Sequence, residues 1–311
     1  MKTLVTLDAK NYNDFQHRSK RQAVRAIIKR NGRIALVKSK VMNHYKFPGG
    51  GIEENESHID ALVREVREET GLIVKVDTVK ECGMIHEIRK STINDDIFEQ
   101  FSYYYYLDVE DYFLEPALDE NESKLQYVLE WVNPKKAYDV NRELAKDYTN
   151  KFLLREAYML RMLIDIRLVN ITSLQSTEPY KVKRNSDMYV GRVEDIIDDY
   201  NDVYKDYSDL YGVYYGNNII GLVVLSNQLI NGKWSFNDLI IGDDYQNQGF
   251  GELSTHLIIE YFKKKGNSNI IKIEVFKENI RAIRCYEKCG FTITKKCEWD
   301  SNFLEMEINL I

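Results

Sequence analysis

The stretch Gly50–Leu72 reads GGIEENESHIDALVREVREETGL, and its pattern is the most informative one in the first half of the chain. Apolar residues recur through it at helical spacing, which predicts a helix over about 57–70. Three carboxylates, Glu65, Glu68 and Glu69, stand at positions i, i+3 and i+4 of that helix. They therefore lie on neighbouring turns of the same helix.

Like charges at this spacing repel each other, so a cation should neutralise them. Arg64 offsets part of the charge, and Mg2+ prefers several carboxylate oxygens together with water and substrate phosphate. Gly50 leaves the backbone free to offer a carbonyl at the start of the helix. The alternative is a solvated acidic helix face, which does not explain why Gly50, Glu56 and Arg64 stand at fixed offsets from the carboxylates.

Written as a pattern, the stretch is G-x5-E-x7-R-E-U-x-E-E-x-G-U, where U is apolar, and it resembles the Nudix box. The resemblance covers about residues 20–165 and implies an α/β/α sandwich with a mixed sheet. It also implies hydrolysis of a nucleoside diphosphate linked to another moiety, with Mg2+ or Mn2+ as cofactor. Every specified position is filled, by Gly50, Glu56, Arg64, Glu65, Val66, Glu68, Glu69, Gly71 and Leu72.

Carried over, the resemblance implies that Glu65, Glu68, Glu69 and Gly50 hold the metal. Glu65 is the leading candidate for activating the attacking water, with Glu68 and Arg64 as further catalytic residues. A base outside the box stays open. The run Tyr103–Tyr106 alternates faces on a predicted strand, so core packing and base stacking are both open roles for it.

A second motif follows a predicted strand over 235–241. The turn Gly242–Glu252, GDDYQNQGFGE, precedes a predicted helix over 251–265. A glycine-bearing turn at a helix N-terminus directs backbone N–H groups at an anion. The P-loop lysine and the complete GxGxxG fingerprint are both missing from this turn, so neither nucleotide-binding motif fits.

About 35 residues further on, Asn279–Phe291 reads NIRAIRCYEKCGF. The two segments together resemble the GNAT N-acetyltransferases, with a Q/R-x-x-G-x-G/A loop followed by N-x-x-A-x-x-x-Y-x-x-x-G-F. The resemblance covers about residues 180–311. It implies a mixed, mostly antiparallel sheet flanked by helices, acetyl-CoA as cofactor, and N-acetylation of an amine that the sequence does not identify.

The same resemblance implies which residues meet acetyl-CoA. Backbone amides of the turn would hold the pyrophosphate, the strand edge before it would pair with the pantetheine arm, and Asn279 would contact the cofactor. Tyr286 would protonate the departing thiolate; a core aromatic is the alternative for it, and no general base can be assigned. The cofactor-binding set is Leu239, Ile240, Ile241, Gln246, Asn247, Gln248, Gly249, Phe250, Gly251, Glu252, Asn279 and Tyr286.

Composition limits the class of partner. The chain has 311 residues and a net charge of −6, which gives no global electrostatic reason to bind nucleic acid or anionic lipid. No apolar run approaches the ~18 residues of a membrane-spanning helix. Four cysteines without a CxxC pair predict free thiols in a reducing compartment, so the expected location is the cytoplasm, with no membrane partner.

The chain is expected to carry a Nudix hydrolase domain over 1–166, a linker or the start of the second domain over 167–185, and an acetyltransferase domain over 186–311. Both domains can be enzymes, or one can be a nucleotide- or CoA-binding regulatory module. A predicted amphipathic helix over 193–204 has an acidic outer face, which is either solvated or attracts a cationic amine. An exposed edge strand would allow a homodimer.

Overall fold

The computed structural model of the protein describes residues 1–12, 15–93, 95–146, 152–172, 179–184, 189 and 191–310. The chain divides into two compact units, Met1–Ile164 and Asp165–Ile311. Helices and strands alternate in both, which confirms the predicted two-domain α/β class. The domain limits 1–166 and 186–311 stay predictions. Within 167–185, residues 173–178 and 185 lie outside the described residues.

The first unit is built from strands and helices that alternate along the chain. In order they are β1 (Thr3–Asp8), β2 (Arg18–Ile27), β3 (Lys29–Arg30), β4 (Arg33–Ser39), β5 (Tyr45–Lys46), α1 (His58–Thr70), β6 (Leu72–Val74), β7 (Lys80–Lys90), β8 (Ile97–Tyr106), β9 (Val109–Phe113), α2 (Glu120–Lys124), β10 (Tyr127–Val132), α3 (Pro134–Leu144) and α4 (Phe152–Leu163).

The described strands of this unit form two four-stranded sheets and a two-stranded ribbon. The first sheet has the order β1-β7-β8-β2, with β1–β7 and β2–β8 parallel and β7–β8 antiparallel, so it is mixed as predicted. In the second sheet, β4 pairs with β10, β3 and β5, all antiparallel. The hairpin between β3 and β4 turns at Asn31 and Gly32, which both have positive φ, as this turn requires.

Helix α1 begins and ends where local chemistry sets its limits. The Ser57 side chain accepts a hydrogen bond from the Asp60 backbone N–H, and Gly71 adopts the left-handed conformation at the C-terminal end. Ala61, Leu62 and Val66 are buried against residues of β2 and β4. The helix therefore turns one face to the core and holds its carboxylates along another.

Two expectations for this unit were wrong in detail. The apolar pattern of the sequence predicts a strand over about 73–79, but the strand ends at Val74, because the chain then forms a short 3-10 turn over Val76–Thr78. The sequence pattern also predicts a helix over about 146–165; the helix spans Phe152–Leu163, and residues 147–151 lie outside the described part of the chain. Helix α3 was not predicted, although Asn133 caps it and Pro134 opens it, a common start for a helix.

The second unit continues the numbering. Its elements are β11 (Ile166–Asn170), α5 (Val193–Asp199), a π-helical turn (Tyr200–Tyr204), β12 (Ser208–Tyr215), β13 (Asn218–Ser226), β14 (Trp234–Ile241), α6 (Phe250–Lys265), β15 (Ile270–Phe276), α7 (Ile280–Lys288), β16 (Thr292–Lys296) and β17 (Phe303–Asn309).

The described strands of the second unit form one sheet in the order β11-β12-β13-β14-β15-β17-β16. Each neighbouring pair is antiparallel except β14 and β15, which are parallel. This confirms the predicted mixed, mostly antiparallel sheet. The parallel pair is short: Trp234 pairs with Ile271 and Ser235 with Lys272, and the register extends no further along β14. The C-terminal half of β14 thus leaves β15.

Candidate functional sites

Arg64 is the hub of the acidic face of α1. Its Nε and one terminal nitrogen donate to both carboxylate oxygens of Glu56, each at 2.8 Å. The other terminal nitrogen donates to Glu65 Oε1 at 2.9 Å and to Glu68 Oε2 at 3.2 Å. Arg64 also donates to the carbonyl of Gly51 at 3.1 Å, which ties the glycine loop to the helix. Arginine suits this role because its planar fork presents five donors.

The carboxylate of Glu65 occupies the space beside Gly50. A Cβ placed on Gly50 would overlap both carboxylate oxygens and Cδ of Glu65, so a side chain at position 50 would displace this carboxylate. Burial raises the pKa of Glu65, while Arg64 and then Arg25 and Lys46 act in the opposite direction. The Gly50 carbonyl accepts a hydrogen bond from the Val24 backbone N–H at 3.0 Å.

Glu69 lies deepest of the three carboxylates and is almost fully buried. Its Oε1 pairs with the Lys46 ammonium, and its Oε2 accepts a hydrogen bond from the Gly49 backbone N–H at 2.9 Å. Burial raises the pKa of Glu69 to about 7, against the opposing effect of Lys46. Lys46 also lies 3.6 Å from Glu122 and over the ring of Tyr127.

A buried ion cluster supports the same loop from behind. Glu156 accepts a hydrogen bond from the Phe47 backbone N–H at 2.8 Å and pairs with Arg155, which also pairs with Glu87. All three side chains are buried. Arg25 donates to the Gly49 carbonyl, so it braces the loop. The cluster and Arg25 thus fix the loop that faces the carboxylates of α1.

The donor chemistry of this site fits a hard divalent cation, because its side-chain donors are carboxylate oxygens on one helix face beside a carbonyl-bearing loop. One structural feature agrees best with a cation site. The Glu65 carboxylate fills the space beside Gly50, which a side chain at position 50 would take up. Within the described ranges, no group of three or more His, Cys, Asp or Glu side chains already converges as a metal-binding cluster. Arg64 and Lys46 engage the carboxylates instead.

The tyrosine run on β8 divides by burial. Tyr104 and Tyr105 are buried, and Tyr104 packs edge-on against Phe47. The hydroxyl of Tyr105 lies 2.8 Å from Nδ1 of His58. Tyr106 is exposed. The buried pair therefore serves the core.

In the second unit, the turn before α6 is held by side-chain amides. Gln246 Nε2 donates to the Ile241 carbonyl at 3.1 Å and to Asp243 Oδ1 at 2.9 Å, and its Oε1 accepts a hydrogen bond from Arg281 at 2.9 Å. Asn247 and Gly249 have positive φ, and Gly249 is the residue before α6 begins. The turn thus leads into the N-terminal end of a 16-residue helix, where the helix dipole favours an anion.

The strand before this turn has an edge that β15 does not cover. Leu239, Ile240 and Ile241 lie beyond the last β14–β15 pair, and Ile240 and Ile241 pair with β13 on the other edge. An extended amide-bearing chain can pair with such an edge.

Tyr286 lies on α7, and Asn279 is the residue that caps the start of this helix. The Asn279 side chain accepts a hydrogen bond from the Ala282 backbone N–H at 3.1 Å, so part of this amide serves the helix. Tyr286 is half-buried and contacts the rings of Phe236 and Phe291. Burial raises the pKa of its hydroxyl, with smaller contributions from Cys285, Cys289 and Asp238. The hydroxyl is therefore protonated at neutral pH.

Asp238 is a residue that the sequence did not single out. It lies on β14 with φ at +52°, where the register between β13 and β14 shifts. Its Oδ2 is buried and accepts no hydrogen bond from any described residue. A strand residue with positive φ leaves no mark in the sequence, and an aspartate in a strand reads as an ordinary polar residue.

The other predicted site residues fall into two sets. The structure brings Gly50, Glu65, Glu68 and Arg64 together, while Glu69 on the same helix pairs with Lys46 and the Gly49 backbone N–H. It joins the turn before α6 to α7, through Gln246 and Arg281 and through Gly251, whose Cβ would lie 3.4 Å from Cys285 Sγ. Their roles stay predictions.

The fold and these two sites define a tandem of two α/β domains, each with a candidate site for phosphate chemistry or acyl transfer. A model of the NUDIX domain matches residues 19–153, and a model of the acetyltransferase (GNAT) family matches residues 169–291. The chain therefore contains a NUDIX domain followed by a GNAT acetyltransferase domain, which confirms both resemblances and their order.

Similar proteins are found for both halves. An ADP-ribose pyrophosphatase of Methanocaldococcus jannaschii is 39% identical over 82 residues, which are 25% of this chain. The match spans 47% of that relative, so the chain spans about half of its length.

Two solved acetyltransferases are similar to this chain. The spermidine N-acetyltransferase of Vibrio cholerae with CoA and spermine is 21% identical, with a TM-score of 0.37, over 47% of this chain and 96% of that one. The Campylobacter jejuni N-acetyltransferase PseH with acetyl coenzyme A is 22% identical, with a TM-score of 0.36, over 46% of this chain and 98% of that one. Among the described residues, no helix has the length and apolar character needed to cross a membrane.

Proposed function

We propose that the protein is a bifunctional enzyme. Its first domain hydrolyses a nucleoside diphosphate linked to another moiety, and its second transfers an acetyl group from acetyl-CoA to an amine. The three carboxylates that Arg64 contacts, those of Glu56, Glu65 and Glu68, support the first activity most directly. The open edge of β14, followed by the helix N-terminus, supports the second.

The hydrolase proposal assigns a role to each group on α1. Glu65, Glu68, Glu69 and the Gly50 carbonyl would hold Mg2+ or Mn2+, which lowers the pKa of a bound water and offsets charge on phosphoryl oxygens. Arg64 orients Glu65 and Glu68. Glu65 is positioned by Gly50 and would accept the proton of the attacking water. Lys46 would then be free to meet a substrate phosphate.

Hydrolysis is tested with a panel of nucleotides, with and without Mg2+, that includes ADP-ribose because the curated relative bears that name. Glu69→Gln should reduce turnover at least about 100-fold, since a ligand oxygen and its charge are lost. Glu54→Gln is the matched control, because Glu54 is exposed in the loop before α1. Mg2+-dependent turnover that survives in Glu69→Gln would contradict the assignment.

The acetyltransferase proposal uses groups in the second unit. Backbone N–H groups from Gln246 to Glu252 would bind the pyrophosphate of acetyl-CoA, and the edge Leu239–Ile241 would pair with its pantetheine arm. Tyr286 would give its proton to the departing thiolate, for which a protonated hydroxyl is required. Asn279 would contact the same substrate through the part of its amide that does not cap α7.

Acetyl transfer is tested by thiol release from acetyl-CoA with a panel of amines. Tyr286→Phe should lower kcat about 100-fold while leaving acetyl-CoA affinity within about twofold, because it removes one proton donor and keeps the ring. Tyr180→Phe serves as the control, since Tyr180 is exposed in the same unit. An unchanged kcat in Tyr286→Phe would mean that Tyr286 is a core aromatic residue and not the proton donor.

A second candidate function is that the NUDIX domain binds a nucleotide without cleaving it and regulates the other domain. The pairing of Glu69 with Lys46 favours this alternative, because it neutralises a carboxylate that a metal would need. If no nucleotide of the panel is hydrolysed but nucleotides still bind, the regulatory function is supported.

The four cysteines carry free thiols, as in a reducing compartment, so we propose a cytoplasmic location. Homodimer formation stays a prediction.

A further inference from the structure

Two cysteines lie one turn apart at the C-terminal end of α7. Cys285 and Cys289 are at positions i and i+4, so helix geometry places both thiols on one face. The Cys289 thiol forms a hydrogen bond with the sulfur of Cys285. Cys285 is half-buried and Cys289 is buried. This pair has no part in the hydrolysis or the acetyl transfer proposed above.

Both thiols contact the first turns of α6. A Cβ placed on Gly251 would lie 3.4 Å from Cys285 Sγ, so this sulfur packs directly against the backbone of Gly251. The hydroxyl group of Thr255, one turn further along α6, hydrogen-bonds with the same sulfur. Cys289 Sγ lies 3.7 Å from the carbonyl oxygen of Glu252. The two cysteines therefore support the helix start that is proposed to bind the pyrophosphate of acetyl-CoA.

Cys285 has the surroundings of a reactive thiol. The hydrogen bond from Cys289 lowers its pKa, although burial and the charge of Glu252 act in the opposite direction. The start of α6 adds the positive end of a helix dipole, which favours a thiolate. Because Cys285 is only half-buried, a small oxidant can reach its sulfur. Burial instead raises the pKa of Cys82 and of Cys297, so these two thiols are less reactive.

A disulfide between the two cysteines would be strained, and strain makes such a bond reversible. Cβ atoms at i and i+4 of a helix are about 5–6 Å apart, whereas a disulfide needs about 3.5–4.5 Å. Cys289 is the last residue before the chain leaves α7, and Gly290 follows with φ at +98°. Closing the bond therefore requires only that the last turn of α7 unwinds. Strained disulfides are easily reduced, and in a reducing compartment disulfides are transient or regulatory.

We propose that Cys285 and Cys289 form a reversible oxidation site, at which a hydroperoxide such as hydrogen peroxide creates a disulfide that weakens acetyl-CoA binding. The Cys285 thiolate attacks one peroxide oxygen and the O–O bond breaks. The departing hydroxide takes up the proton that Cys285 released, which leaves a sulfenic acid and one water. The Cys289 sulfur then attacks the Cys285 sulfur, the S–O bond breaks, and the hydroxide leaves as a second water with the Cys289 proton. The two thiols lose two electrons in all, and the peroxide gains them.

The disulfide would act on the second unit through the contacts between α6 and α7. Drawing Cys289 towards Cys285 withdraws it from the Glu252 carbonyl and moves the sulfur that packs on Gly251. The turn that unwinds also contains Tyr286, the residue next to Cys285 in the chain. Oxidation should therefore weaken acetyl-CoA binding and slow acetyl transfer. This effect rests on the proposed acetyltransferase function, whereas formation of the disulfide does not.

The oxidation site is tested by mass spectrometry of the full chain after treatment with hydrogen peroxide. We expect a disulfide between Cys285 and Cys289 that dithiothreitol removes. Cys289→Ser should leave a sulfenic acid on Cys285 that dimedone traps, and Cys285→Ser should abolish both products. Cys285→Ala removes the same sulfur if serine perturbs the fold.

Cys82→Ser is the matched control, because Cys82 is a half-buried thiol whose pKa is raised. It should form the disulfide between Cys285 and Cys289 as readily as the wild type. Absence of this disulfide from the peroxide-treated wild type would overturn the proposal. Oxidation of Cys82 as fast as that of Cys285 would overturn it as well, because Cys285 would then have no special reactivity.

The effect on the cofactor is tested by calorimetry with acetyl-CoA before and after oxidation. Affinity should fall at least about tenfold in the oxidised wild type, return with dithiothreitol, and stay within about twofold in peroxide-treated Cys285→Ser. Because coupling is reciprocal, saturating acetyl-CoA should disfavour the disulfide by the same factor in a glutathione redox buffer. Unchanged affinity in the oxidised wild type, with the disulfide present, would overturn the proposal. Failure of the reduced wild type to bind acetyl-CoA would overturn the proposed function, and the mass spectra alone would then support or overturn the oxidation site.

Discussion

The carboxylates of the two candidate sites differ in whether the fold supplies them with partners. In the first unit, Glu65 and Glu68 share Arg64, and the buried Glu69 pairs with Lys46. In the second unit, Oδ2 of Asp238 is buried with no hydrogen-bond donor among the described residues. The carboxylates of the first site are thus paired with cations of the fold, whereas one carboxylate oxygen of the second has no donor among the described residues.

This difference determines whether a substitution in each site lowers or raises the free energy of unfolding. Removing the cation from a buried pair leaves a charge without compensation, which is strongly destabilising. Removing a buried charge that has no partner relieves the fold of its desolvation cost. A substitution in each site therefore tests the comparison, and the two should change the free energy of unfolding in opposite directions.

The largest effect is expected for Lys46→Met, measured by chemical denaturation in EDTA. The stem of Lys46 is kept while its charge is lost, so Glu69 stays buried without its cation. We expect a loss of about 3 kcal/mol at pH 8. The loss should shrink towards pH 6. The pKa of Glu69 is about 7 with Lys46 present and rises further when Lys46 is replaced. Glu69 is therefore protonated near pH 6, and its charge no longer needs a cation.

Lys40→Met is the control for this substitution, because Lys40 is exposed at the end of the neighbouring hairpin. It should change the free energy of unfolding by less than about 0.5 kcal/mol. Equal losses of stability in the two variants, or a loss that does not depend on pH, would show that Lys46 does not compensate the charge of Glu69.

The next effect has the opposite sign. Because the pKa of Asp238 is raised from 3.8 to about 6, the folded state favours its protonated form. The destabilisation is absent below the unfolded pKa and complete above the folded one. Two pKa units correspond to ~3 kcal/mol, and partial exposure reduces this, so Asp238→Asn should stabilise the protein by about 2 kcal/mol at pH 8.

This gain should vanish near pH 4, where Asp238 is protonated in the folded state. Denaturation curves at pH 4, 6 and 8 measure the trend, with Asp206→Asn, an exposed aspartate of the same unit, as the matched control. A loss of stability at pH 8 would mean that Asp238 has a partner within the fold.

The sequence predicted the parts of both sites that local pattern determines. The helix expected over 57–70 spans His58–Thr70, since Ser57 and Gly71 are strong local signals for its ends. The alternating apolar residues over 270–276 also predict a strand, and the strand spans Ile270–Phe276. The carboxylate face of α1 followed from spacing alone, because helix geometry places i, i+3 and i+4 together.

What the sequence could not provide depends on contacts distant along the chain. The partner of Glu69 is Lys46, 23 residues earlier on a two-residue strand, and no local signal joins them. The bulge at Asp238 arises from the register between β13 and β14, which is a property of the assembled sheet. Asn279 was expected to contact acetyl-CoA, and its place before α7 also makes it a helix cap.

The smallest effect is expected at the helix ends, where one residue of each unit caps a helix. Ser57 and Asn279 each accept a hydrogen bond from a backbone N–H at 3.1 Å, at the start of α1 and α7 respectively. Replacing either residue with alanine should cost about 1 kcal/mol of stability, measured by denaturation. Asn279→Ser should retain the stability, because serine is also a good cap, but it removes the amide nitrogen. If that nitrogen contacts acetyl-CoA, both Asn279 variants should weaken its affinity about fivefold by calorimetry. Wild-type affinity in Asn279→Ser would show that Asn279 serves the helix alone.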